Sequence, residues 1–134
     1  MTTKPKVLLK SIPTGVDDEV EFAFFDEALN ENIGKITYDL NKRNKKAKIN
    51  YTYLIPEKRR EGILKFLLDE ILCNMQCSGM KKAELHTITE DATKAWERLG
   101  FEVTGTEKDI SGTTFTYMEK KLTEKCDCSK VKKQ

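Results

Sequence analysis

The sequence predicts an α/β (α+β) fold: a mixed, mostly antiparallel twisted sheet of about seven strands with two main helices. Three observations lead there. Short runs that alternate apolar and polar residues, rich in β-branched and aromatic side chains, recur along the chain. Two stretches, 62–77 and 91–99, instead place apolar residues at helical spacing. Four strand-like runs precede the first helix, one separates the helices and two follow the second, so the periodicity switches cleanly from 2 to 3.6 and back.

The first run, 6–12, is stopped by Pro13-Thr14-Gly15, and alternation resumes at 19–25. Runs 32–40 and 47–55 flank the polar segment 41–46, so the first four runs read as an antiparallel meander. Pro56 ends the fourth. From Gly62 to Cys77, apolar residues at 63, 64, 67, 68, 71, 72 and 75 give the strongest helix in the chain. A strand over 83–88 follows, then a helix with Asp91 near its start and Ala92, Ala95, Trp96 and Leu99 along one side. Gly100 sits in the favoured position just past its end. Runs 101–107 and 113–121 close the pattern around Asp109-Ile110-Ser111-Gly112, a hairpin turn.

With 134 residues, 38% hydrophobic and 34% charged, the chain can bury roughly two-thirds of its unfolded surface around one core. The expected organisation is a single domain over 1–122 and a basic, disordered tail over 123–134. No apolar run approaches the roughly 20 residues that span a bilayer, and no apolar stretch follows Met1, so a cytoplasmic protein is expected. Net charge is +2, yet 119–134 holds six Lys against three acids while 1–118 is slightly acidic. That balance gives no electrostatic footprint for nucleic acid. Cys73, Cys77, Cys126 and Cys128 make a poor secreted framework and are expected as reduced thiols. Neither Cys-x3-Cys nor Cys-x-Cys is a usual zinc-finger pair, so no metal is expected.

The strand ending at Pro56 passes through Glu57-Lys58-Arg59-Arg60-Glu61-Gly62 into a helix. This arrangement holds phosphate: free N–H groups and the positive dipole end face the loop, Gly62 admits close approach, and Arg59, Arg60 and Lys65 add charge. The stretch from Leu54-Ile55-Pro56-Glu57 through Gly62-Ile63-Leu64 to Leu67-Leu68 resembles the acetyl-CoA signature of the GNAT family of N-acetyltransferases. Ala92-Thr93-Lys94-Ala95-Trp96-Glu97-Arg98-Leu99-Gly100-Phe101 resembles that family's second conserved stretch. The resemblance covers roughly residues 32–121. It implies that the fourth and fifth strands splay apart to admit acetyl-CoA. It further implies that the backbone of Thr52, Tyr53 and Leu54 binds the pantetheine arm, and that the amides of Arg59, Arg60, Glu61, Gly62, Ile63 and Leu64 hold the pyrophosphate.

Three positions depart from the family pattern. Leu64 replaces a second small residue, so it either packs on the helix face or narrows the phosphate site. Trp96, a donor without useful acidity, stands where many members carry Tyr. Only residues 13–18 join the first two strands, where the family usually has two helices; the acceptor side is then open or completed by a partner.

The implied reaction is acetyl transfer to a primary amine by direct attack in a ternary complex, which needs a base, a positioned amine and an oxyanion donor near Leu54. Tyr53 and Glu90 are the candidates for proton transfer, with Tyr51, His86 and Asp91 close by in the pattern. The acceptor is an amine on a small molecule or a protein, and an exposed edge strand could pair two subunits. Two other readings stand beside this one: a member that binds acetyl-CoA or CoA without turnover, and an interaction module that has lost the cofactor.

Overall fold

A computed structural model describes residues 7–59, 62–123, 126 and 128. Strands β1 (Val7–Ile12), β2 (Glu19–Asp26), β3 (Glu31–Asn41) and β4 (Lys46–Leu54) form the expected antiparallel meander. A 3-10 turn at Pro56–Lys58 leads into α1 (Ile63–Cys77), which carries the chain over to β5 (Lys82–Thr87), parallel to β4. Helix α2 (Glu90–Arg98) then precedes the hairpin of β6 (Glu102–Lys108) and β7 (Thr114–Lys121). Strand β7 pairs with β5, giving one sheet in the order β1-β2-β3-β4-β5-β7-β6.

Alternation decides which face of that sheet is dry. Val7 and Leu9, Phe22 and Phe24, Ile36 and Tyr38, Ala47 and Ile49, and Ala83 and Leu85 all point to one side. There they meet Ile63, Leu67, Leu68, Ile71, Leu72 and Met75 of α1. Helix α2 lies on the same side: Trp96 and Leu99 pack on this core, Trp96 edge-on to Phe101 at 5.2 Å, and Thr93 hydrogen-bonds inward-facing Thr87 at 2.5 Å. Both helices therefore cover one face. The other face shows Lys35, Tyr51, Tyr53, His86 and Tyr117 to solvent, as expected from the short β1–β2 connection.

Two strands break the alternation. Between β3 and β4, Tyr38 opposes Ile49 but Thr37 opposes Tyr51, so Asn50 is an extra residue. Between β2 and β3 the register shifts at Phe24/Phe25, leaving Ile33 between the residues that pair with them. A bulge of this kind bends its strand and re-aims the side chains beyond it. Here the first one turns Tyr51 and Tyr53 outward and Leu54 inward.

The cysteine expectation is corrected. Cys73 is bonded to Cys126 and Cys77 to Cys128, with Cα atoms 5.6 Å apart in both pairs. The reason is geometric. Positions i and i+4 put Cys73 and Cys77 on one face of α1. Beyond β7, the buried Leu122 donates its N–H to Lys81 O at 2.9 Å, which brings Leu122 to the end of α1 where Cys126 and Cys128 are bonded. Of residues 123–134, only Thr123, Cys126 and Cys128 are among those described.

Tyr38 is fully buried, and its hydroxyl has no hydrogen-bond partner among the described residues. Burial pushes its phenol far above the ordinary range. Replacing it by Phe removes a desolvated, unpaired group while keeping the ring. Tyr38→Phe is expected to raise stability by about 1 kcal/mol, or roughly 4 °C in the unfolding midpoint, in thermal melts followed by circular dichroism.

Candidate cofactor and acyl-transfer site

The site begins where β4 and β5 part. They pair at only three positions, Lys46 with Lys82, Ala47 with Ala83 and Lys48 with Glu84. Beyond these, β4 runs on to Leu54 and β5 to Thr87 with no pairing between them. The extra residue Asn50 lies two positions past the last pair, so the bend in β4 coincides with the parting.

Ile55 N donates to Ile33 O at 2.9 Å, which turns the backbone groups of Tyr53 and Ile55 toward β3. By strand alternation, those of Thr52 and Leu54 face the split. One is already used: Arg59 Nε donates to the Leu54 carbonyl at 2.7 Å, and its guanidinium lies 5.6 Å from the Tyr53 ring. The Thr52 hydroxyl is buried and without a partner among the described residues. A polar atom left in that state at a strand edge is one that a ligand can satisfy.

At the mouth of the split, the loop is tied down from below. Lys58 Nζ lies 3.6 Å from Asp26 Oδ2, while Asp26 Oδ1 accepts from the backbone N–H groups of Ala28 and Leu29 at 2.9 and 3.2 Å. Asp26 is buried, so one carboxylate fastens the 3-10 turn to the β2–β3 connection. Gly62 precedes α1 with φ +76°, a left-handed conformation that side chains disfavour, and among the described residues no side chain caps the helix. The first-turn N–H groups of α1 are thus left for an anion. Lys65 is exposed on that turn, Ile63 is buried, and Leu64 packs against the core. Arg60 and Glu61 lie outside the described residues.

Across the split, Thr89 caps α2 by accepting from Ala92 N at 3.1 Å, and Glu90, exposed, pairs with Lys94 at 3.4 Å. No hydrogen bond among the described residues joins Glu90 to Tyr53. His86 stands on the open face between Phe115 and Tyr117, with ring centroids 5.6 and 6.2 Å away. It lines a cavity of about 110 Å³ with Lys48, Glu84 and Tyr117, directly below the point of divergence. The Tyr117 hydroxyl donates to Glu107 at 3.0 Å, and that hydrogen bond holds its phenol above the usual range. Farther along the same face, a shallow groove of about 310 Å³ is lined by Glu21, Gly34, Lys35, Tyr51, Tyr53 and Ile55.

Gly34 and the Asp26–Lys58 pair shape the candidate site without being marked as site residues in the sequence. A lone glycine inside a strand run signals close backbone approach, and here it is the signal that could have been used. The ion pair joins elements 32 positions apart and leaves no local trace.

A family-wide sequence model described as an acetyltransferase (GNAT) domain matches residues 4–122. The chain belongs to the GNAT acetyltransferase family. Solved GNAT structures share its fold. Spermidine/spermine N-acetyltransferase SpeG from Vibrio cholerae superposes with a TM-score of 0.72 at 18% identity, covering 87% of this chain and 93% of that one. Nourseothricin acetyltransferase gives 0.70 at 16% identity, covering 89% and 86%. Aminoglycoside 6'-N-acetyltransferase complexed with coenzyme A gives 0.70 at 14%, covering 83% and 77%. No curated protein sequence matches the chain significantly. Among the described residues of this GNAT chain, no helix is long and apolar enough to cross a membrane.

The backbone of β4 at the split is held at its spacing by Gly34. A Cβ there would run into the Tyr53 carbonyl oxygen and lie 3.0 Å from Leu54 Cα, backbone atoms that cannot rotate away. Gly34→Ala is expected to cost about 1–3 kcal/mol in chemical denaturation. Gly105→Ala is the control, because nothing lies within 4 Å of a Cβ at that strand position; its cost should be close to zero.

Proposed function

We propose that this GNAT chain is an acetyl-CoA-dependent N-acetyltransferase that transfers acetyl to a primary amine by direct attack in a ternary complex. The observation that carries the reading is the parting of β4 and β5 after three pairs, with an uncapped helix start at its mouth. The orphaned Thr52 hydroxyl, on β4 where the strands have parted, supports it, since it leaves a polar atom for the amide-rich pantetheine arm to satisfy.

Acetyl-CoA, when bound, supplies a thioester carbonyl that is open to attack by an amine. In this assignment the backbone of Thr52 and Leu54 orients the pantetheine arm, while that of Tyr53, expected from the sequence to take part, is turned to β3 instead; the Leu54 N–H is the donor for the developing oxyanion. The Arg59 N–H is held by the Pro56 carbonyl at 3.2 Å, so the amides at the start of α1, Gly62, Ile63 and Leu64, are the ones offered to the pyrophosphate, with Lys65, Arg59 and Arg60 supplying charge. The amine approaches over the helix-free face, where Tyr53 borders the groove. Tyr53 and Glu90 are the sequence candidates for proton transfer, and His86 joins them because it lines the cavity at the base of the split. Trp96 is committed to packing on Phe101; the departing thiolate takes its proton from another donor.

The acceptor is an amine on a small molecule or on a protein. The structural neighbours named above act, by their names, on spermidine, spermine, nourseothricin and aminoglycosides. A face without covering helices suits an acceptor that is itself bulky, and Glu21 in the groove suits a cationic one.

Thermal unfolding with acetyl-CoA, using CoA and ATP as comparisons, tests the cofactor assignment. At 100 times its dissociation constant, acetyl-CoA adds about 2.7 kcal/mol and should raise the midpoint by several degrees. Gly62→Asp tolerates the left-handed backbone but sets a negative charge before the phosphates. It should shrink that rise several-fold while the unliganded midpoint moves by only a few degrees. No rise at saturation in a cooperatively folding sample would remove the proposal. Thiol release across a panel of amines then measures turnover, and His86→Gln is expected to lower kcat/KM about 100-fold. Binding without thiol release for any amine would leave the cofactor-binding, non-catalytic reading in place of the enzyme.

A further inference from the structure

We propose that in the reduced protein Cys73, Cys77, Cys126 and Cys128 form a tetrathiolate site for one zinc-class divalent cation, clasping the segment after β7 onto α1. The site is separate from the cofactor loop: Cys73 lies ten residues along α1 from Ile63, or about 15 Å.

Placement is the first argument. All four cysteines of the chain meet at one spot on the far half of α1. Spacing of i and i+4 on a helix aims two side chains at one point, as paired metal ligands on a helix do. Judged as isolated pairs, Cys-x3-Cys and Cys-x-Cys gave no reason to expect zinc; the fold turns the first into a helix face and lays the second over it.

The sulfur geometry is the second. Two independent cross-links need closeness only within each pair. Here the sulfurs of Cys73, Cys77 and Cys126 all lie within 4.8 Å of one another, and Cys77 and Cys126, which are not bonded to each other, are 3.3 Å apart. Four thiolates at about 2.3 Å from zinc stand about 3.8 Å from one another. The cross-pair contact is what a common centre requires; the sulfur of Cys128 stands outside that group of three but is tied to Cys77, and on release from it becomes the fourth ligand.

Charge and access complete the case. A divalent ion with four thiolates carries a net charge of −2, and residues 119–134 hold six Lys against three acids. A cavity of about 260 Å³ opens beside Cys73, lined by Asp69, Gln76, Lys121 and Thr123, and gives an ion a path inward. The disulfide pairs are then the oxidised form of the same four sulfurs. A water-soluble phosphine reduces each disulfide to two thiols, taking oxygen from water to become the phosphine oxide while the protons of that water go to the sulfurs. Metal binding displaces the four thiol protons to solvent.

The test uses the full chain, phosphine-reduced and kept without oxygen, titrated with cobalt(II) and then zinc(II). The expected result is one equivalent per chain, thiolate-to-cobalt charge-transfer bands with the visible spectrum of a tetrahedral site, and displacement by one equivalent of zinc. Zinc should also raise the unfolding midpoint of the reduced protein. Cys126→Ser/Cys128→Ser should lose the bands and the rise in midpoint, with its far-ultraviolet circular dichroism unchanged. Cys73→Ala, altering the helix side alone, should lose the tetrahedral spectrum as well. Retention of the equivalent by the double variant, an octahedral spectrum, or one ion per two chains would each overturn the proposal.

Discussion

The short pairing of β4 with β5 is the constraint on which the rest of the molecule is organised. Leaving two strand edges unpaired inside a sheet is costly, because every backbone N–H and C=O there needs a partner. The flanks make it sustainable: β3 holds β4 along its length to Leu54, and β7 holds β5 to Thr87. Helix α1 closes the underside with Ile63, Leu67 and Leu68. Arg59 then turns back to serve the Leu54 carbonyl, using a side chain of the anion loop to finish the edge that the parting exposes. The same gap that costs pairing is the slot in which an extended, amide-bearing ligand can act as a substitute strand.

Much of this architecture was legible because its causes are local. Alternation in 32–40 and 47–55, and the apolar rhythm at 63, 67, 68, 71, 72 and 75, carry the information for β3, β4 and α1 within a few residues of one another. The strand–loop–helix with Gly62 was legible for the same reason. What escaped are features that depend on two distant segments at once. No pattern in 47–55 says that Asn50 is an extra residue, since that is a statement about β3 as much as β4. Asp26 reads as the last residue of a strand, and only the fold shows it between Lys58 and two backbone amides. The cysteine pairing is illegible for the same reason, since Cys73 and Cys77 on one helix face meet Cys126 and Cys128 only once Leu122 is pinned to Lys81.

Helix α1 connects the two regions for which roles are proposed. Its N-terminal end follows the loop at the split, anchored through Lys58 to the β2–β3 connection; its C-terminal half carries Cys73 and Cys77, on which Cys126 and Cys128 sit. A helix buried along one face by six large apolar side chains is a stiff rod, so the two ends share a scaffold without sharing chemistry. The Asp26 linkage has a different character. It couples the turn before the anion loop to the far end of the meander through one carboxylate, and a change at either partner is felt at the other.

The uncovered face of the sheet raises a question of colloidal behaviour. Aromatic rings on a broad flat surface invite two copies to stack, and here no helix prevents it. The side chains do: Lys10 Nζ sits 3.6 Å from the centre of the Phe25 ring, and Lys35 Nζ 5.5 Å from that of Tyr51. Each ammonium masks a ring and presents its charge to solvent, so the uncovered face stays wetted. The cover is hinged rather than fixed, because a lysine can swing off a ring at the cost of one weak contact, and an arriving molecule with its own cation can take the vacated place.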